Sequence, residues 1–222
     1  MVTQMAQPPE LIIFDCDGVL VDSEPATNLV LAENLSSYGL PMTPEEASRL
    51  FVGGTMKSVM ERARSMGADL HRGWLDEIYG SIFRRLAEGL PPIPHLDALF
   101  AAIDRVGTKT CIASNGPLRK MEITLPAAGL MERFKGRIYS AHDVGIAKPA
   151  PGLFEHACAA MNSTPEDCVV IEDSSNGAKA AYDAGMRCFG YTADTPPEEL
   201  TQHGAIPFSS MADLPGLLGL AP

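Results

Sequence analysis

Short apolar runs recur along the chain, each followed by turn residues and then by apolar positions at helical spacing. Leu11–Phe14 (LIIF) is the first. Thr110–Ala113 (TCIA) leads into Ser-Asn-Gly-Pro and a helical pattern, and Ile138–Ser140 is a weaker run. Cys168–Ile171 (CVVI) leads into Glu-Asp-Ser-Ser-Asn-Gly and a helix over Ala178–Ala184, with Gly185 placed to stop it; Arg187–Tyr191 follows at once. Uninterrupted apolar strands alternating with helices predict a parallel sheet covered on both faces.

Between residues 25 and 90 the period changes. Ala26–Tyr38, Pro44–Phe51, Met56–Met66 and Trp74–Ala87 all carry helical spacing, without a convincing strand. The block ends at the proline-rich Leu90-Pro91-Pro92-Ile93-Pro94, a stiff connection. The expected architecture is α/β, a Rossmann-like parallel-sheet core with a small helical domain inserted after the first strand. The core covers 1–22 and 93–222 and the insertion 23–92. Pro126 falls inside a helical pattern and should kink or end it.

Composition narrows the function. The 222 residues, 45% of them hydrophobic, suffice for one sizeable core, or for a core and a small second domain. A net charge of -11 disfavours nucleic-acid and anionic-membrane partners, which need basic surface, but not a small phosphate ester, which needs only local positive charge. No apolar run approaches the ~20 residues of a membrane span, and MVTQMAQPPE reads as a short tail rather than a signal peptide. The five cysteines form no C-x-x-C pair and read as buried free thiols in a reducing cytosol.

Four stretches carry candidate chemistry. Asp15 and Asp17 end the first strand, and Gly18 lets the chain turn behind them. A calcium loop beginning D-x-D fails, because Val19 and Leu20 stand where it needs an oxygen ligand and a glycine. A nucleophile and an acid/base at the carboxyl end of a parallel strand fit the pair better than two solvated acids. Ser114 and Asn115 follow TCIA and fit either a phosphate site or a helix cap, with Pro117 suited to the first helical turn. Lys148 precedes Pro149, which restrains its backbone; a solvated surface lysine is the alternative. Glu172 and Asp173 end CVVI and suit either metal binding or solvation near a helix N-terminus, with Ser or Asn as the cap. Together the four stretches offer carboxylates for a hard cation, and a lysine, a hydroxyl and amides for an anion. Mg²⁺ binds through a few carboxylates, waters and substrate phosphate, and would relieve the repulsion between the acids.

In the order and context of Asp15-Cys16-Asp17-Gly18-Val19, Ser114-Asn115, Lys148-Pro149 and Glu172-Asp173-Ser174, the chain resembles the haloacid dehalogenase superfamily, in its phosphatase and phosphomutase branch. The helical insertion is similar to that branch's mobile cap. The resemblance implies that Asp15 attacks phosphorus and that Asp17 protonates the leaving oxygen and then activates water. It implies that Ser114, Asn115 and Lys148 hold the phosphoryl oxygens, and that Asp15, the Asp17 carbonyl and Asp173 bind Mg²⁺ with Glu172 in support. Dehalogenation would give Asp17 no comparable role. A receiver domain would lack both the insertion and the second acidic pair near the end. The rival is a β-phosphoglucomutase-like enzyme. Thr27 stands where that family has a histidine, Met56 where it has an arginine, and no histidine occurs between Asp15 and His71. Among the phosphatases, SNGPLRKME and MNSTPEDCVVIEDSSNGAKAAYDAGM resemble bacterial sugar-phosphate phosphatases, nearest the branch acting on 6-phosphogluconate. In the insertion, Gly53-Gly54-Thr55-Met56-Lys57 reads as a helix start, with Lys57 the candidate for substrate specificity; Trp74 reads as packing. The expected partner is a small phosphorylated metabolite, and the expected state a cytoplasmic monomer.

Overall fold

The computed structural model describes residues 7–51 and 56–220. Six strands form one fully parallel sheet: β1 (Leu11–Phe14), β2 (Lys109–Ser114), β3 (Ile138–Ser140), β4 (Cys168–Glu172), β5 (Arg187–Tyr191) and β6 (Ile206–Phe208), in the order β3-β2-β1-β4-β5-β6. Phe14 lies between Ile112 of β2 and Ile171 of β4. The strands read as continuous apolar runs because both faces are buried, and successive side chains feed opposite cores. Ile12, Phe14, Ile112, Val169, Ile171 and Phe189 pack on one face, with Leu99, Phe100 and Phe134. Leu11, Ile13, Cys111, Ala113, Val170 and Cys188 pack on the other, with Leu153, Phe154 and Ala181. All five cysteines are buried and free, among these packing residues.

The chain divides into two compact units, Ser23–Leu90 and the remainder up to Asp22 and from Pro91. Pro91 and Pro92 go with the larger unit: Pro92 bridges to Val21, and the Ile93 N–H donates to the Leu20 carbonyl at 3.2 Å.

The smaller unit contains α1 (Glu24–Ser37), α2 (Pro44–Phe51), α3 (Met56–Ser65) and α4 (Trp74–Ala87). A reciprocal cap begins α2, with the Thr43 N–H on Glu46 Oε2 (2.8 Å) and the Glu46 N–H on Thr43 Oγ1 (3.2 Å). Trp74 is fully buried and donates to Asn34 Oδ1 at 2.6 Å, so it is core, as its spacing indicated.

In the larger unit the helices that serve the sheet are α5 (Leu96–Val106), α6 (Leu118–Ala127), α7 (Gly152–Ala160) and α8 (Ser175–Asp183). Pro126 sits in the last turn of α6, which ends one residue later. Pro117 is the residue before α6 rather than inside its first turn: its ψ of 145° is extended, and the helix begins at Leu118. Among the described residues no helix is long and apolar enough to cross a membrane.

Candidate active site

β1 carries its ladder one residue past its end, where the Asp15 N–H donates to the Ile171 carbonyl at 2.9 Å. The chain then turns tightly. The Leu20 and Val21 N–H groups both donate to the Cys16 carbonyl, at 2.9 and 3.1 Å. Gly18 has φ +79°, and a Cβ there would lie 2.0 Å from Asp173 Oδ2. Glycine is therefore needed twice, for the left-handed backbone and for the approach of the second acidic pair.

Lys148 is the centre of the charge network. Its side chain is 3% exposed, so the solvated-lysine alternative does not hold. Its Nζ donates to Asp15 Oδ1, to Glu172 Oε1 (2.5 Å) and to the Ala113 carbonyl (3.1 Å), and lies 5.2 Å from the Phe154 ring centroid. Three hydrogens meet three acceptors. Burial alone would lower the lysine pKa, but Asp15 and Glu172 outweigh it and raise it. On Asp15 burial dominates and lifts the pKa from 3.8 to about 7, with Lys148 only partly opposing and Glu172 adding to the rise.

The turn after β2 supplies the neutral groups. Ser114 is buried, and its Oγ accepts from the Gly116 N–H at 3.1 Å. Ser140, at the end of β3, donates to the Gly116 carbonyl at 2.8 Å and fixes that turn from the neighbouring strand. The Asn115 side chain pairs with the Lys148 backbone. Oδ1 accepts from the Lys148 N–H at 2.8 Å, and Nδ2 donates to the Lys148 carbonyl at 3.0 Å.

At the end of β4, Glu172 is fully buried. Its Oε2 accepts from the N–H groups of Asp173 and Ser174 (both 3.0 Å) and from Ser174 Oγ (2.8 Å). Both oxygens of Glu172 are thus engaged within the protein. Ser174 also caps α8, accepting from the Gly177 N–H at 3.0 Å. A Cβ on Gly177 would lie 1.9 Å from the Glu172 carboxyl, so this glycine makes room for it. Asp173 is the acid that stands against Gly18. Burial first, then the charges of Glu172 and Asp15, lift its pKa to about 9.

One cation was not among the residues singled out from the sequence. Lys120, in the first turn of α6, places Nζ 2.7 Å from Asp17 Oδ1. Burial opposes its charge, but Asp17 outweighs burial and its pKa is raised. Its position, one turn into the helix that follows β2 at the sheet's carboxyl end, was the available signal. Asp15 and Asp17 thus differ in surroundings: the first side chain is 10% exposed and paired with Lys148, the second 28% exposed and paired with Lys120.

Asp15, Asp17, Ser114, Asn115, Lys148, Glu172 and Asp173 are all brought together at the carboxyl ends of β1, β2 and β4, where the strand order reverses and α/β sheets hold ligands. Lys57 belongs to the smaller unit, exposed in the first turn of α3; Gly53, Gly54 and Thr55 lie outside the described residues. Among the described residues no three acidic, cysteine or histidine side chains close into a metal-holding group. The donor set nonetheless fits a hard cation. Asp15 is buried and Asp173 half-buried, their charges oppose each other, and Mg²⁺ needs only one or two carboxylates beside carbonyl, water and phosphate oxygens.

A family model described as haloacid dehalogenase-like hydrolase matches residues 9–185. The chain is 30% identical to the 6-phosphogluconate phosphatase of Escherichia coli (strain K12), over 94% of each protein. It is similar to the crystal structure of a conserved haloacid dehalogenase-like protein of unknown function from Agrobacterium tumefaciens, with 36% identity, a TM-score of 0.81, and 95% of this chain and 97% of that one covered. It is likewise similar to a haloacid dehalogenase family hydrolase from Deinococcus radiodurans with bound phosphate and sodium, at 28% identity and a TM-score of 0.82, over 96% and 97% of the two chains.

Proposed function

The chain belongs to the haloacid dehalogenase-like hydrolases and is a phosphatase, and on that premise we propose that it hydrolyses a small sugar or sugar-acid phosphate in two steps through a phosphorylated Asp15. The observation that carries this reading is the buried pairing of Asp15 with Lys148 at the carboxyl end of β1, which fixes a carboxylate beside a cation where α/β sheets hold ligands. The buried Asp15, fixed by Lys148, is the nucleophile. Its carboxylate oxygen bonds to phosphorus as the ester P–O bond breaks, and Asp17 gives its proton to the leaving oxygen. Asp17 then takes a proton from water as the water oxygen attacks phosphorus. The Asp15–phosphorus bond breaks, and inorganic phosphate leaves with the carboxylate restored. Dividing one displacement into two requires this nucleophile and this acid/base. Ser114 and Lys148, with the backbone after β2, steady the charge on the phosphoryl oxygens.

Asp15, Asp173 and the Asp17 backbone carbonyl are the groups that would hold Mg²⁺, with Glu172 in support through its grip on Lys148 and on the Asp173 N–H. A bound Mg²⁺ supplies positive charge that lets a phosphate dianion approach these acids. The unit Ser23–Leu90 is read as the cap. Lys57 is its specificity residue, favouring esters with a second anionic group such as a sugar-acid carboxylate. The phosphogluconate phosphatase likeness supports that substrate class. The buried free cysteines support a reducing compartment.

Hydrolysis is favoured over phosphate migration by Thr27 and Met56. Thr27 donates its hydroxyl to the Ser23 carbonyl of its own helix at 2.8 Å, and threonine is neither base nor cation near neutral pH. Met56 lacks the charged fork of an arginine. A ³¹P NMR time course with β-glucose 1-phosphate, a bisphosphate primer and Mg²⁺ tests the reading. Inorganic phosphate with little glucose 6-phosphate is the expected result; glucose 6-phosphate accumulating faster than phosphate would establish the mutase instead.

A further inference from the structure

We infer that the Asn115 side chain positions Lys148, so that its amide group acts on phosphate chemistry through the lysine rather than by its own contact with the phosphoryl group. The inference rests on the hydrolase reading above. No helix or strand contains Lys148; it lies in the turn segment between the short helix Ala141–Val144 and α7. Its ammonium sits at the end of four methylenes, and its placement between Asp15 and Glu172 depends on where its backbone is held. Asn115 follows directly on β2, the strand beside β1, and grips both backbone groups of Lys148 at 2.8 and 3.0 Å across 33 residues.

The residue type matches the task. Recognising an N–H and a C=O at once takes one acceptor and one donor on a short, flat side chain. Aspartate would set a carboxylate against the Lys148 carbonyl, and serine would not span both groups. The sheet thereby fixes the loop, and the loop presents the cation to Asp15. Sites hold their geometry best when tied to such rigid elements. Nδ2 retains a second hydrogen, so direct contact with phosphate is the competing role, and the two differ in one measurable respect: a residue acting through Lys148 has nothing to act on once Lys148 is gone.

The test is a double-mutant cycle on p-nitrophenyl phosphate with Mg²⁺, comparing the wild type, Asn115→Ala, Lys148→Met and the double variant, with circular dichroism to verify folding. Asn115→Ala is expected to lower kcat by about 10- to 100-fold, the scale of a small misplacement of a charged group, with KM within about 3-fold. In the Lys148→Met background the same substitution is expected to change kcat/KM by less than about 2-fold. An equal loss in both backgrounds would make Asn115 a direct phosphate ligand and overturn the inference, as would near wild-type kcat in Asn115→Ala. Should Lys148→Met not fold, Lys148→Met/Glu172→Gln serves as the background, since it removes the buried cation and one buried anion together. Where residual turnover is too slow, inorganic phosphate affinity by calorimetry reads the same cycle. A wild type that releases no phosphate from any ester would sink the hydrolase reading, while the affinity cycle would still show whether Asn115 and Lys148 are coupled.

Discussion

At the scale of single residues, function depends on charges that are costly to bury and are held only by one another. Lys148 satisfies Asp15 and Glu172 at once, and removing one member of a buried set strands the others, at about 3–5 kcal/mol. Asp15→Asn should abolish phosphate release while the circular dichroism spectrum stays native, because an amide neither attacks phosphorus nor offers the negative charge that a metal requires; retained turnover would remove Asp15 as nucleophile. Asp17→Asn should lose about 10²–10⁴-fold in kcat, the worth of general acid/base help. In the smaller unit, Lys57→Ala should raise KM more for sugar-acid phosphates than for neutral sugar phosphates, with kcat little changed, since only binding is lost. Equal shifts for the two classes would reduce Lys57 to a helix-start residue.

At the scale of elements, two glycines let the acids of β4 lie where they do. Gly18 gives way to Asp173 and Gly177 to Glu172. Gly177→Ala would drive a methyl into the Glu172 carboxyl at the start of α8. The expected cost is about 1–3 kcal/mol, the range for overpacking, seen as a lower urea midpoint accompanied by loss of turnover; an unchanged midpoint would show that Glu172 has room to move. The helices of the insertion and the strands β1 to β5 were legible to within a residue or two, because a 3.6-residue period and unbroken apolar runs are local signals. Local signals could not reveal the partners. Nothing around Lys148 indicates a buried bridge to acids 133 and 24 residues away. Nothing in Ser-Asn-Gly-Pro distinguishes an amide aimed at a ligand from one aimed at the lysine backbone. Lys120 was missed for the same reason, its pairing with Asp17 being made across 103 residues.

At the scale of the whole molecule, the concentrated acids link stability to pH and to metal. Asp15 and Asp173 have pKa values raised to about 7 and about 9, so the folded protein keeps protons that the unfolded chain has released. Stability from these groups is complete below the ordinary aspartate value of 3.8 and is lost as pH rises through about 7 and about 9. A dication stabilises the ionised acids, so Mg²⁺ should raise the melting temperature more at pH 8 than at pH 5. Equal increments at the two pH values would mean that the metal does not bind at these carboxylates. In the proposed function all of this serves one chemical event, the passage of a phosphoryl group through Asp15. Rapid acid quenching during turnover of 6-phosphogluconate with Mg²⁺, followed by peptide mass spectrometry, observes that event directly. The account predicts one added phosphoryl group on Asp15 of the peptide containing LIIFDCDGVLVDSE, absent from Asp15→Asn. Steady release of inorganic phosphate with Asp15 unmodified, or with the phosphoryl group on another residue, would contradict it.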